Sequence, residues 1–275
     1  MIVGVSQRKV CEVLRVSRSV LHERPRRESQ RAAGDELLRA RIARLIQQHP
    51  TFGYRRIWAL LRFREQLTIN RKTVYGVLRR QQWFVHQRRI TPRPRVKRWR
   101  SQTDRSDKRW AMDVTHIPCG SDGWAHLAAV IDCHDREIVG WEFALRGRAR
   151  EAERALEEAC LGRFGTLRPD RATPVLRSDN GLIFQSRRFR QACRDYRLRQ
   201  ECTTPYTPEQ NGLIERFFRS LKEECTWQTN FRSFKEAKRA VARWIDWYNA
   251  FRPHQALGYL SPREYRAQQL NMVAC

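Results

Sequence analysis

Three acidic residues have the types and spacing that metal-dependent phosphate chemistry requires. Asp113 lies inside an apolar segment, Asp179 ends a second one, and Glu215 lies near the start of a segment with helical periodicity. A carboxylate in a core segment is costly unless it is paired or binds a cation. Clustered carboxylates repel one another unless protonated or metal-bound, and hard oxygen ligands suit Mg²⁺ or Mn²⁺. The pattern predicts a site for two such ions, which promote in-line displacement at a phosphodiester.

Each acid also has a purely structural interpretation. Asp113 can be an exposed strand residue, and Asp179 begins an Asp-Asn-Gly turn sequence. Glu215 suits the positive end of a helix dipole. The catalytic interpretation therefore depends on elements that bring the three residues together.

Those elements are predicted from residue 110 onward. WAMDVTHIP, WAHLAAVID and EIVGWEFAL are rich in β-branched and aromatic residues and predict three strands. A helix, the strand PVLRSD, the helix SRRFRQACRDY, the strand LRQECT and a long helix from about residue 212 complete the order βββαβαβα. This is an α/β arrangement, a mixed sheet covered by helices, in the element order of the ribonuclease-H-like fold. In that fold the first and fourth strands are neighbours and the last helix packs across them, so the three carboxylates converge.

A separate all-α module is predicted before this core. Three helical segments lie between residues 36 and 83, and Asn70 is the expected N-cap of the third. Cations alternate with apolar positions on these helices, which favours a helix-turn-helix-like module whose charged face meets phosphate, although a solvated surface has the same pattern. The predicted DNA-contacting residues of this module are Arg55, Arg56, Arg71, Lys72, Arg79 and Arg80.

Five regions follow along the chain. Residues 1–30 predict a partial helix-turn-helix and linker, with Ser17 as the cap of its second helix, and residues 36–87 the helical DNA-binding domain. Residues 88–108 combine proline with many cations and predict an extended basic linker. Residues 109–228 are the predicted catalytic core, and residues 229–275 a helical C-terminal extension. The inward-facing residues expected in that extension are Val241, Trp244, Ile245 and Tyr248.

The charge balance points to nucleic acid as the partner. Lys and Arg number 55 against 29 acids, a net charge of +26. Such an excess attracts a polyanion and favours counterion release on binding. Residues 1–100 carry 26 of these cations but only 6 acids, so the carboxylates concentrate in the second part of the chain.

Cysteine usage and hydropathy predict a protein of a reducing, cytoplasmic compartment that does not span a membrane. The eight cysteines form no Cys-x-x-Cys pair, no run of eighteen apolar residues occurs, and the first residues lack the apolar core of a signal peptide. His116 and Cys119 with Cys133 and His134 are the one arrangement that suggests zinc. Their spacing fits no common structural zinc site, which favours buried free thiols.

The ordered set of motifs resembles a known family over almost the whole chain. The sequence is similar to the insertion-sequence transposases related to retroviral integrases, specifically the downstream reading-frame product of the IS-three group. Asp113, Asp179 and Glu215 match that family's Asp-Asp-Glu triad, and Lys222 matches the basic residue seven positions after its glutamate. The segments that carry the resemblance are CEVLRVSRS, HPTFGYRRIWALLR, MDVTHIP, GWAHLAAVIDCHDREIVGW, LRSDNG, YTPEQNGLIERFFRSLKEE and YNAFRPHQALGYLSP.

Helix geometry gives the spacing of Lys222 a physical meaning. Seven residues make nearly two turns, so Asn211, Glu215, Arg219 and Lys222 are expected on one helix face, where cations can reach DNA phosphate. The chain departs from the commonest family pattern at Arg15, His116 and Arg177, none of which belongs to the triad.

The resemblance implies transposition in two attacks at one site. Water attacks at the element's end to free a 3′-hydroxyl, and this hydroxyl then attacks another phosphodiester of double-stranded DNA. It also implies a homo-oligomer on DNA and an upstream reading-frame product as partner, including as a frameshift fusion. The residues alone leave two alternatives open: a metal-dependent nuclease that cuts RNA in hybrids, and a DNA-binding repressor with an inactive core.

Overall fold

A computed structural model of the chain describes residues 6–15, 26–85, 103–204 and 210–273. Two predictions fall on residues outside these ranges. They are the second helix of the partial helix-turn-helix, with its cap Ser17, and most of the basic linker at 88–108. No helix in the described ranges is long and apolar enough to cross a membrane.

The N-terminal part is helical, as predicted. Helix α1 (Gln7–Val13) is followed by α2 (Arg26–Gln48), α3 (Tyr54–Ala59) and α4 (Arg71–Arg80). The side chain of Asn70 accepts a hydrogen bond from the Lys72 amide at 2.9 Å, which confirms it as the N-cap of α4. Helix α2 begins ten residues before the predicted start at Glu36, and α3 continues as a π-helical turn over Leu60–Arg64.

The last three of these helices share a small apolar core. Its members come from α2, from the turn before α3, and from α3, its π-helical turn and α4. They include Ile42, Phe52, Ile57, Leu61, Val74 and Leu78, none more than 2% exposed. The apolar positions that predicted the helices are therefore the ones that hold them together.

The rest of the chain is built on a five-stranded sheet. Its strands are β1 (Arg109–Pro118), β2 (Trp124–Asp132), β3 (Ile138–Ala144), β4 (Val175–Ser178) and β5 (Arg199–Cys202), in the order β3-β2-β1-β4-β5. The first three are antiparallel neighbours, whereas β1 pairs with β4, and β4 with β5, in parallel. This confirms the predicted mixed sheet of a ribonuclease-H-like core.

Helices cover both faces of the sheet. Helices α5 (Ala149–Phe164), α6 (Leu182–Gln185) and α7 (Arg187–Asp195) pack on one face, which holds Trp110 and Met112 of β1. Helices α8 (Gly212–Leu221) and α9 (Phe234–Ala250) pack on the other, with Ala111 and Ile117. Because side chains alternate along a strand, a central strand buried on both faces has an almost continuous apolar sequence.

The C-terminal extension closes the second face. Four residues predicted to face inward on α9, Val241, Trp244, Ile245 and Tyr248, are all buried. The amide side chain of Asn249 both accepts from the Ile138 N–H and donates to the Ile138 carbonyl, each at 2.9 Å. These two hydrogen bonds fix the end of α9 to the start of β3, and α10 (Pro262–Val273) follows.

The helical module contacts this extension. Trp247 of α9 lies 5.4 Å from the ring of His49 and 6.0 Å from that of Phe52, and Tyr259 packs edge-on against Trp58 at 5.3 Å. A buried carboxylate, Glu224 in the π-helical turn that follows α8, joins the same region.

Glu224 is held by two arginines from different parts of the chain. Its oxygens accept from Arg252 at 2.6 and 2.8 Å and from Arg56 at 3.2 Å. The side chain of Glu224 is 6% exposed and that of Arg252 is 3% exposed. Burial, and then the charge of Arg252, lower the pKa of Arg56 to about 10. Arg56 therefore stays charged at neutral pH and takes part in joining the module to the core.

Helix α5 approaches β3 so closely that only glycine fits at residue 140. A Cβ there would lie 2.2 Å from the Ala155 carbonyl oxygen and 2.5 Å from the Ala159 nitrogen, both backbone atoms.

We expect Gly140→Ala to lower the free energy of unfolding by about 1–3 kcal/mol, the usual cost of overpacking. Gly162→Ala on α5 is the matched control, since the nearest atom to its added Cβ is 3.8 Å away. It should be neutral or stabilising by up to about 1 kcal/mol. Urea denaturation measures both, and equal effects would contradict the close packing of β3 on α5.

Two adjacent glutamates allow a direct test of the buried ion pair. Glu224→Gln leaves the buried charge of Arg252 uncompensated, so it should lower the free energy of unfolding by roughly 3 kcal/mol. Among the described residues Glu223 forms one ion pair, with Arg219 one helical turn away, and its side chain is 34% exposed. Glu223→Gln should therefore cost no more than about 0.5 kcal/mol. Thermal and urea unfolding of the two variants compare them, and a Glu224→Gln protein as stable as Glu223→Gln would refute the role of Glu224.

Candidate active site

Asp113 and Asp179 occupy matching positions on adjacent parallel strands. Ala111 of β1 is in register with Arg177 of β4. Continuing both strands by two residues places Asp113 beside Asp179, just past the last residue of β4. Neighbouring strands lie about 4.8 Å apart, and residues two apart point to the same side. The register therefore brings two carboxylates together at one edge of the sheet.

Helix α8 brings the third carboxylate to the same side. Asp113 has the same side-chain direction as Ala111 and Ile117, which pack in the core cluster of α8. That helix buries Ile214 and Phe217 in the cluster and leaves Glu215, in its first turn, exposed. Packing of the apolar face thus fixes which part of α8 lies over β1.

The pKa of Asp113 responds to the charges of the other three predicted residues. Burial raises the pKa of Asp113 from 3.8 to about 6, partly opposed by a 2.7 Å hydrogen bond from the Val114 amide. The charges of Asp179 and Glu215 raise this pKa further, and the charge of Lys222 lowers it. All three predicted partners therefore act on one half-buried carboxyl group.

The loop after β4 holds Asp179 in place. Its Oδ1 accepts from the Gly181 amide at 2.9 Å, and the side chain of Asn180 donates to the Thr203 carbonyl at 2.9 Å. A Cβ at Gly181 would lie 2.9 Å from Asp179 Oδ1, tighter than ordinary contacts allow. The Asp-Asn-Gly sequence is thus a turn, as its structural interpretation required, and the turn also positions the carboxylate.

Arg177 links the three elements of the site, a role that sequence reasoning missed. Its guanidinium donates to Glu201 of β5 at 2.9 Å and to the carbonyl of Gln210, just before α8, at 3.2 Å. The residue is 6% exposed. The only signal in the sequence was its departure from the commonest family pattern at this position.

The other predicted residues of α8 are placed differently from one another. Lys222 is half-buried and begins the π-helical turn, whereas Arg219 is exposed and pairs with Glu223. Asn211 is only 4% exposed, so its side chain is not on the solvent side with Glu215. Glu215 and Lys222 are thus both accessible to solvent, as the predicted common helix face requires, whereas Asn211 is not.

The predicted cations of the helical module also separate into two groups. Arg56 points into the contact with Glu224, and Arg55 is exposed but donates to Gln255 at 3.2 Å. The four cations of α4 are exposed, and within the described ranges none of them forms an ion pair. They are Arg71, Lys72, Arg79 and Arg80.

The three predicted carboxylates do not form a closed set of metal ligands among the described residues. Within residues 6–15, 26–85, 103–204 and 210–273, no three His, Cys, Asp or Glu side chains are close enough together to hold one metal ion. The triad carboxylates are therefore electrostatic neighbours at longer range. Cys119 and Cys133 are buried free thiols, the interpretation favoured over zinc.

Comparison with known proteins identifies both parts of the chain. Residues 103–208 and 196–262 match two family models described as Integrase core domain, and residues 33–90 match one described as HTH-like domain. The transposase InsD for insertion element IS2A/D/F/H/I/K of Escherichia coli is 32% identical over 282 residues, which cover 97% of this chain and 92% of that protein. The InsD transposase for insertion element IS2-9 of strain K12 is also 32% identical, with 90% of that protein covered.

Solved integrase cores are more distant. The catalytic core domain of BIV integrase is 20% identical, with a TM-score of 0.45, and the match covers 62% of this chain and 99% of that one. The HTLV-2 integrase catalytic core domain in complex with magnesium is 16% identical, with the same TM-score, and covers 58% and 96%. The fold assignment rests on the strand order and the family models.

The raised pKa of Asp113 predicts a pH-dependent cost to stability. An unfolded aspartate ionises near 3.8 and folded Asp113 near 6, so the folded protein loses stability as pH rises through this window. Asp113→Asn removes that cost. In EDTA we expect the variant to exceed wild type in free energy of unfolding by about 1–2 kcal/mol above pH 7, and by less near pH 4.

Urea denaturation across pH 4–8 measures this difference. Asp246→Asn is the control, because Asp246 is exposed on α9. A difference between Asp113→Asn and wild type that does not change with pH would contradict a raised pKa for this half-buried carboxyl group.

Proposed function

This chain belongs to the insertion-element transposases of the integrase superfamily, and we propose that Asp113, Asp179 and Glu215 are the catalytic carboxylates with which it cuts and joins DNA. The family acts as a polynucleotidyl transferase in DNA transposition, so the activity follows from membership. The observation that carries the residue assignment is the β1–β4 register, which sets Asp113 beside Asp179 under the helix of Glu215.

The donor set suits divalent metal. All three groups offer carboxylate oxygens, the ligands preferred by Mg²⁺ and Mn²⁺, and no thiolate or imidazole belongs to the set. Burial, and then the charges of Asp179 and Glu215, raise the pKa of Asp113, and a bound cation would favour the ionised form of all three groups. We propose two ions, held by Asp113 and Asp179 with Glu215 as the third ligand. When bound, such ions activate an attacking oxygen and stabilise a leaving oxygen at phosphorus.

The protein's own groups then position the reacting DNA. In the first step a water oxygen forms a bond to phosphorus at the element's end, the bond from phosphorus to the 3′-oxygen breaks, and a 3′-hydroxyl and a 5′-phosphate result. In the second step that 3′-hydroxyl attacks a target phosphodiester and displaces the target's 3′-oxygen. Lys222, half-buried beside Asp113, is placed to offset phosphate charge during both attacks.

DNA binding is assigned to α4 of the helical module. Its exposed cations contact phosphate, while the packed face of Val74 and Leu78 holds the helix in the module. A helix-turn-helix places its second helix in the major groove, and α4 is the corresponding helix here. The net charge of +26 supports association with bacterial DNA in the nucleoid.

Assembly extends beyond one chain in this proposal. We propose a homo-oligomer on DNA, because the two ends of an element must be held together for joining. The upstream reading-frame product is the proposed additional partner, including as a frameshift fusion, and would supply a further DNA-binding module.

The decisive variant is Asp179→Asn. It preserves side-chain shape and the hydrogen bond from Gly181, but removes the charge that binds cation. With labelled element ends and Mg²⁺, we expect 3′-end cleavage and strand joining to fall at least about 1,000-fold, within the range that removal of a catalytic group costs. DNA affinity, measured by gel shift in EDTA, should stay within about twofold of wild type.

Asp170→Asn is the matched control, since the Asp170 side chain is 98% exposed and its one ion pair in the described part of the chain is with Arg197. It should leave cleavage unchanged. Full activity in Asp179→Asn would refute the triad, and cleavage confined to RNA–DNA hybrids would favour a nuclease instead.

A further inference from the structure

Helix α9 carries a row of cations on the face opposite its core contacts. Lys235, Arg239 and Arg243 are spaced by four residues, so they follow one another along the helix about 6 Å apart. All three are exposed, whereas Val241 and Trp244 face the sheet. We call these three cations the α9 stripe.

The stripe surrounds a shallow, open groove whose lining residues all belong to α9 or its N-cap. The groove has a volume of about 510 Å³ and is lined by the stripe together with Ser233, Glu236 and Ala242. Its one acid is already engaged, because Glu236 accepts from the Arg232 amide at 2.8 Å at the start of the helix. The lining is therefore net positive and open to solvent.

The charges of the stripe are not neutralised within the protein. In the described part of the chain none of the three cations forms an ion pair, although 18 ion pairs are present there. Many other cations of the core do have acidic partners, for example Arg163 with Glu137 at 3.0 Å. A row of uncompensated cations at regular spacing favours a polyanion over a single small ion.

The stripe lies between the level of the triad and the far end of β1. The Phe234 amide donates to Asp122 in the β1–β2 turn at 2.7 Å, which places the start of α9 beside the carboxyl end of β1. Asn249 fixes the other end of the helix at the start of β3. Ile138 is level, through Ile131, with Ala111, two residues before Asp113. The Arg243 end of the stripe is therefore nearer the level of the triad, and the Lys235 end lies beyond it toward the end of β1, on the sheet face that α8 also covers.

We propose that the α9 stripe binds the phosphate backbone of duplex DNA continuing away from the catalytic carboxylates. The interaction is independent of base sequence, since lysine and arginine on an exposed helix face recognise phosphate as charge. It rests on the proposed function, because the DNA is the substrate of that site. The stripe adds a second binding surface, separate from α4, that holds the DNA at the core.

Salt dependence gives the test, carried out with the full chain. The variant Lys235→Gln, Arg239→Gln, Arg243→Gln removes the stripe. Each phosphate that the protein no longer neutralises reduces the slope of log K against log salt by about 0.9, so the slope should fall by about 2–3 between 50 and 200 mM salt. Affinity for a duplex should fall about 10-fold or more at the lower salt. Arg239→Lys with Arg243→Lys keeps the charges and should keep the wild-type slope.

Helix α7 supplies a control of equal charge. Arg187, Arg190 and Arg194 are exposed on the opposite sheet face and, in the described residues, form no ion pair. Their triple Gln variant removes the same number of charges. It should change the slope by less than one unit if binding at the stripe, rather than net charge, is responsible.

Two results would overturn the proposal: a slope change below one unit in the α9 variant, or an equal change in the α7 variant. Melting temperatures within about 2 °C of wild type establish that both variants are folded. Failure of the proposed function would look different, since wild-type protein would then neither cleave nor join element ends. A wild type that joins ends, beside an α9 variant that binds and joins equally well, refutes the stripe alone.

Discussion

The parallel pairing of β1 with β4 is the constraint on which the site depends. It joins segments more than sixty residues apart in sequence, and its register alone decides that Asp113 and Asp179 are neighbours. A shift by one residue would turn one carboxylate to the other face of the sheet. Both flanking clusters oppose such a shift, because β1 buries Trp110 on one face and Ala111 on the other. Apolar packing therefore fixes the geometry of the acids.

The same packing imposes an electrostatic cost on the site. Asp113 is half-buried near two other carboxylates, and its pKa rises to about 6 for that reason. A protein selected for stability alone would not retain this arrangement, since the raised pKa reports free energy lost when the group ionises. The buried cluster around Arg163 shows the contrast, because there Asp135 and Glu137 face a buried arginine at 3.2 and 3.0 Å. Burial raises the pKa of Asp132 and Glu137 in that cluster as well, so the two places differ in the buried arginine that pairs with the core acids.

The fold followed from the sequence where apolar periodicity was strong. The order of strands and helices in the core, the cap Asn70 and the inward row of α9 are all as predicted. Contacts between distant segments could not be predicted this way. Nothing local to Arg177 indicates that it reaches Gln210, or that Asn249 bonds the backbone of Ile138. The π-helical turn after α8 was also missed, because its residues continue the helical pattern.

Arginine illustrates why the sequence could not separate binding residues from structural ones. Arg56 and Arg71 look alike as basic residues on short helices of one module, and both were expected to contact DNA. Their surroundings differ: Arg56 is taken up by Glu224, while Arg71 is exposed on α4 and lies over the ring of Trp58. With 55 cations and 29 acids, the chain can neutralise only some of its positive charge internally. Glu224 and the acids near Arg163 pair with arginines inside the protein, whereas the cations of α4 and of the α9 stripe form no ion pair among the described residues and are free to meet phosphate.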